Sequence, residues 1–100
     1  MKYPTTRLVF DRKNTATKST AKNPKKGLIQ VEVSYNRQRK YISTGEKVYL
    51  GQWNEAKGII GTADMAVANQ RIDNLHGAIR KFINDLIDEG KEFSWDALDR

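Results

Sequence analysis

Gly27-Leu28-Ile29-Gln30-Val31-Glu32-Val33-Ser34-Tyr35-Asn36-Arg37-Gln38-Arg39-Lys40-Tyr41-Ile42-Ser43-Thr44-Gly45 reads as two β-strands joined by a tight turn. Ile29, Val31, Val33 and Tyr35 alternate with Gln30, Glu32 and Ser34, so the first strand has one apolar and one polar face. Asn36-Arg37-Gln38 lacks the Asn-Gly signal of the tightest hairpins. Asn tolerates a positive φ, however, and three-residue hairpin loops are common, so the loop is expected there. On the return strand Ile42 joins the apolar face, while Arg39, Tyr41 and Ser43 join Gln30 and Ser34 on the other. A cation, a phenol and small hydroxyls gathered on one strand face point to a surface that reads nucleic acid.

Outward from this stretch, 100 residues suffice for one domain, or one domain and the start of another. A chain of this size buries roughly two thirds of its unfolded surface, enough for one modest core. The absence of cysteine excludes disulfides and thiolate metal sites. The first residues contain no apolar signal-peptide region, and no apolar run approaches the ~20 residues of a membrane span. The expectation is a soluble cytoplasmic protein. Thirteen Lys and Arg against four Asp and Glu lie at or before Ile60, a local charge of +9, while the remainder carries −3. That asymmetry suits a face aimed at a polyanion.

Arg7-Leu8-Val9-Phe10-Asp11 is a short β-prone run with Leu8 and Phe10 inward and Arg7 and Val9 outward, the third strand of a small antiparallel sheet. Residues 14–26 contain no large apolar side chain and are expected to form a mobile basic loop. Val48 and Trp53 read as core anchors on an irregular connection, with Ala56-Lys57-Gly58 a turn. From Asp64 to Glu89 the period becomes helical. Met65, Ala68, Ile72, Leu75, Ile79, Phe82 and Leu86 form the apolar stripe, widened by Ile83 and Ile87. Thr62 is the expected N-cap and Gly90 the C-terminal stop. Asn69, Asp73, Arg80, Asn84 and Asp88 form a solvated opposite face with no basic stripe, so this helix supports the sheet and does not read a groove itself. Gly77 suggests close approach to a strand or loop, and the lone His76 is a structural or surface residue. Phe93-Ser94-Trp95-Asp96-Ala97-Leu98 resembles the first turn of a further helix, with Trp95 exposed for want of a partner. The expected fold is therefore α+β, a three-stranded antiparallel sheet packed on one C-terminal amphipathic helix.

No phosphate-binding glycine loop, His/Cys metal constellation or nucleophile–base pair is present in the sequence. No catalytic residue, cofactor or metal ligand is assigned. The chain is expected to bind and not to react.

Leu8-Val9-Phe10-Asp11-Arg12-Lys13, a Lys-rich loop, Arg39-Lys40-Tyr41-Ile42-Ser43-Thr44-Gly45, Lys47-Val48-Tyr49 and Gln52-Trp53-Asn54, followed by an amphipathic helix, together resemble a known family. It is the N-terminal arm-type DNA-binding domain of tyrosine recombinases, the integrases of phages and conjugative transposons. The resemblance spans roughly Arg7 to Glu89, and its most specific part is Tyr41-Ile42-Ser43-Thr44-Gly45 with the Lys47-Val48 and Gln52-Trp53 that follow. Glu46 and Leu50 depart from it, standing where an apolar or smaller polar residue and a Pro are usual. The resemblance implies a domain over residues 1–90 that inserts its sheet in the DNA major groove and holds arm-type sites during integration and excision. Residues 91–100 would then begin a core-binding domain, and the catalytic domain lies elsewhere in the parent protein. The implied partners are double-stranded DNA, the rest of the integrase and other protomers of a recombination complex, the isolated domain being a monomer.

On this reading Arg39 and Tyr41, with Gln30, Ser34 and Ser43 beside them, face base edges or groove walls. Arg37, Lys40, Arg7, Arg12, Lys13 and the loop lysines, Lys26 among them, meet phosphates. Glu32 has three readings: accepting from a cytosine amino group, pairing with Arg39, or marking an edge out of contact. An RNA-binding or protein-interaction module of similar build is the competing class.

Overall fold

A computed structural model describes residues 3–98, so the outermost residues of the expected 1–90 and 91–100 segments lie outside it. The elements follow in the order β1 (Thr5–Phe10), β2 (Gly27–Tyr35), β3 (Gln38–Val48), β4 (Trp53–Asn54), β5 (Gly58–Ile59), α1 (Met65–Glu89) and α2 (Trp95–Leu98). Strands β1, β2 and β3 form an antiparallel sheet in that order, and β4 and β5 form a separate two-stranded hairpin. The expected three-stranded sheet with a C-terminal helix is present; the β4–β5 hairpin is an addition.

The period-2 pattern of β2 sets the layers. Ile29, Val31 and Val33 are completely buried, and each such Val or Ile contributes about 1.5–3 kcal/mol by leaving water. They face the α1 stripe in two adjoining clusters. Ile29, Val48, Ile59, Ala68 and Ile72 make one; Val31, Val33, Ile79 and Ile83 make the other. The helix stripe is narrower than its apolar sequence: Met65 and Ile87, expected within it, are 44 % and 46 % exposed. His76 occupies the middle of the stripe, 7 % exposed.

The turn between β2 and β3 differs from expectation. Tyr35 pairs with Gln38, leaving a two-residue loop in which Asn36 and Arg37 both have positive φ, 51° and 66°. This is the type I′ geometry whose twist matches the flanking strands. Strand β3 also continues past Gly45 to Val48, because the ladder is interrupted by a bulge in place of ending. Lys47 pairs with Leu28 and Ser43 with Gln30. In the bulge Gly45 has φ 79°, Thr44 Oγ1 donates to the Ile29 carbonyl at 2.7 Å and accepts from the Glu46 amide at 3.1 Å.

Two further expectations give way on α1. Thr62 does not cap it; Asp64 is the N-cap, without a side-chain cap bond, and the Thr62 hydroxyl is buried with no partner. Asn69 does not lie free on the solvated face. Its side chain accepts from the Ile59 amide at 2.7 Å and donates to the Ile59 carbonyl at 2.9 Å, fastening β5 to the helix. The C-terminus ends as expected at Gly90, whose φ of 67° lets the Gly90 and Lys91 amides reach the Ile87 and Leu86 carbonyls.

Beyond the helix the chain folds back. Phe93 is buried, its ring 4.8 Å from Tyr35 and 5.2 Å from Trp95. Trp95 is half-buried, contrary to expectation, and its Nε1 donates to Gln38 Oε1 at 2.8 Å. This aromatic group closes the sheet–helix layer at the hairpin-turn end, while Trp53 stacked on Phe10 at 6.4 Å covers the other.

Two stability predictions follow from α1. Gly77 faces solvent, with nothing within 4 Å of where a Cβ would stand, so it serves no close approach. Gly77→Ala is expected to raise unfolding free energy by about 0.5–1 kcal/mol, read as a higher urea midpoint at unchanged m-value. His76 Nε2 lies 2.9 Å from Thr6 Oγ1 and accepts from Arg80 Nε at 3.2 Å, an arrangement for the neutral ring. Burial, then repulsion from Arg80, holds its pKa below the usual histidine value, with Asp73 opposing. A folded-state pKa lowered in this way gives stability that is present above the unfolded value of about 6.5 and lost as pH falls through the folded one. Thermal melts from pH 7.5 to 5 are expected to show a declining Tm, and His76→Gln to flatten that decline.

Candidate nucleic-acid interface

The ladder register builds the polar face row by row. Thr5, Ser34 and Arg39 stand side by side across β1, β2 and β3; Arg7, Glu32 and Tyr41 form the next row; Val9, Gln30 and Ser43 the third. All nine point away from α1, because their sequence neighbours Leu8, Val31, Val33 and Ile42 pack on the core. The structure thus brings together Arg7, Gln30, Ser34, Arg39, Tyr41 and Ser43 on one surface. Two inter-strand spacings of about 4.8 Å make it roughly 10 Å wide between the outer strands.

The middle row holds the charge chemistry. Glu32 is 5 % exposed, and Arg7 closes on it with both Nε to Oε1 at 3.0 Å and Nη2 to Oε2 at 3.2 Å. Ser34 Oγ donates to the same Oε1 at 3.3 Å. The hydrogen bond from Arg7 is the main reason the Glu32 carboxyl stays ionised below the usual range, prevailing over the opposing effect of burial; Arg39 adds a smaller attraction. The partner of Glu32 is therefore Arg7 and not Arg39. Tyr41, next in the row, is covered by the Arg12 guanidinium, whose central carbon sits 3.3 Å from the ring centroid.

The remaining cations divide by position. Arg12, Lys13, Lys26 and Lys47 line a cleft of about 360 Å³ at the end of the sheet remote from the hairpin turn, together with Asp11 and Gln30. Lys26 also approaches the Tyr49 ring, at 5.2 Å. The loop before β2 is laced to itself: the Asp11 carboxylate accepts from the Thr15 and Ala16 amides, and Thr17 exchanges hydrogen bonds with Lys25. Arg37 stands at the opposite extremity, the tip of the hairpin. Lys40 is not gathered with the others. It pairs with Val33 and so points to the helix side, with Nζ 5.7 Å from the Trp95 ring.

Lys47 is the residue that the sequence reading passed over. It belongs to the cleft because β3 continues beyond Gly45, and because the bulge adds an even number of residues and so preserves which face the odd positions take. Carrying the alternation Arg39, Tyr41, Ser43 across the glycine would have found it. Among the described residues no group of three or more His, Asp and Glu is arranged to hold a metal ion, and no helix is long and apolar enough to cross a membrane. Arg37 lies in the left-handed region that costs an L-residue roughly 1–2 kcal/mol. Allowing for the chain entropy of glycine, Arg37→Gly is expected to stabilise the fold by about 0.5–1 kcal/mol in chemical denaturation.

A family model for the Arm DNA-binding domain matches residues 12–99. No curated protein and no solved structure matches the chain. The match takes in β2, β3, both helices and the cleft cations but not β1, and on this ground the chain belongs to the Arm DNA-binding domain family, non-catalytic DNA-binding modules of integrase-type proteins.

Proposed function

We propose that the outer face of β1–β3 enters the major groove of double-stranded DNA and reads its sequence, anchoring an integrase at arm-type sites during integration and excision. One observation carries this reading: eight polar side chains and Val9 in three rows on a surface about 10 Å across, against a major groove about 12 Å wide. The contacts sort by position. Arg39, with Gln30, Ser34 and Ser43 around it, meets base edges. Arg37 at the tip, and Arg12, Lys13, Lys26 and Lys47 at the far end, take phosphates on the two sides of the groove. Lys40, on the helix side beside Trp95, faces away from the groove floor and in this pose reaches only flanking phosphates. An RNA-stacking surface would need bare aromatic rings; Tyr41 is the aromatic of these rows, and Arg12 covers one face of it.

Anisotropy titrations with labelled duplex from the flanks of the parent element, and with scrambled duplex, test this reading at several salt concentrations. Tighter binding to the flank is expected, with log K falling by ~0.9 per phosphate contact per log unit of salt. Arg39→Ala is expected to cost ~1–3 kcal/mol on the flank duplex and much less on scrambled DNA. Arg37→Gly is expected to reduce the salt slope by about 0.9 on both duplexes even as it stabilises the fold. Equal affinity for flank and scrambled DNA would overturn sequence reading by this domain.

A further inference from the structure

The carboxylate in the middle of the proposed DNA face needs a reason. A glutamate facing a polyanion repels it, and a carboxylate 5 % exposed must recover the hydration it has lost. Glu32 meets both demands through Arg7, and the manner in which it does so is specific. Its two oxygens take the Nε and Nη2 edge of the guanidinium, at 3.0 and 3.2 Å, and Ser34 Oγ supports the same carboxylate from along the strand. A planar guanidinium held along one edge has its second edge, Nη1 and the other N–H of Nη2, directed away from the carboxylate. The Arg7 side chain is 66 % exposed, so that edge stands at the surface.

We infer that Glu32 is a positioning residue that holds Arg7 as a base reader, its free edge set to donate to the O6 and N7 of a guanine. The inference rests on the groove-binding reading above and reassigns Arg7 from the phosphates to the bases. A loose arginine on this face would settle on phosphates, which lie nearer and carry full charge. An arginine already oriented by a carboxylate has given up less freedom on meeting a base, and presents the bidentate fork that guanine accepts. The inference likewise takes Ser34 from the base edges, because its hydroxyl donates to Glu32 Oε1 at 3.3 Å and belongs to this support.

The test is selection from a duplex library with a randomised 12-bp window, applied to the unaltered protein, Arg7→Ala, Arg7→Lys and Glu32→Gln, with thermal melts to check folding. The unaltered protein is expected to enrich a site containing one guanine whose preference, roughly fivefold or more, disappears in all three variants while the other positions keep theirs. Glu32→Gln should in addition bind scrambled duplex at least as tightly as the unaltered protein, since a negative charge has left the DNA face; a merely structural role would weaken binding to every sequence alike. Arg7→Lys, a change at an exposed side chain that preserves charge, keeps the proposal testable should Glu32→Gln not fold. Preferences retained in both Arg7 variants, or lost evenly at all positions with Glu32→Gln, would overturn the inference and leave the groove-binding reading standing. A library that enriches no sequence with the unaltered protein would overturn both.

Discussion

Strand β2 lies between two ladder partners and under a helix, and most of the molecule is arranged around what that position demands. Its inward residues must be apolar, and Ile29, Val31 and Val33 have no exposure at all. Its outward residues meet a different constraint. Neighbours on both sides shield the middle of the polar face, so that even a glutamate there is nearly removed from water. A charge so placed persists only if it is paired and hydrogen-bonded. Arg7 from β1 and Ser34 from β2 itself supply those bonds. The same burial that builds the core thus dictates the charge pattern on the opposite surface.

The core consists of two buried clusters, and its two ends are closed differently. At the hairpin-turn end the chain beyond α1 returns, and Phe93 and Trp95 pack on Tyr35. At the other end Val48, past the bulge at Gly45, packs in one cluster with Ile59, and Asn69 ties β5 to the helix through both backbone groups of Ile59. Ordered backbone groups at such an end are expensive to leave unpaired, which explains why a single side chain from the helix satisfies two of them.

Charge is divided between the faces. Arg7 and Arg39 stand on the outer face, Arg37 at the hairpin tip, and Arg12, Lys13, Lys26 and Lys47 at the cleft, whereas α1 carries four of the eight carboxylates that follow Ile60. On the proposed reading, charge placed in this way favours a sheet-first encounter with a polyanion.

Much of this was legible from residues alone. The alternation from Ile29 to Tyr35 and from Arg39 to Ser43 determines two faces, and the 3–4 spacing of Ala68, Ile72, Ile79 and Ile83 determines a helix with one buried stripe, because both signals arise from local backbone geometry. The charge asymmetry and the left-handed stop at Gly90 are equally local. Tertiary structure alone decided the rest. The pairing of Arg7 with Glu32, the bond from Trp95 to Gln38 and the hold of Asn69 on Ile59 all join residues distant in sequence. Each depends on ladder register and on how the chain returns after α1, and no periodicity encodes those, since many registers would satisfy the same alternation while only one brings these particular groups within hydrogen-bonding distance.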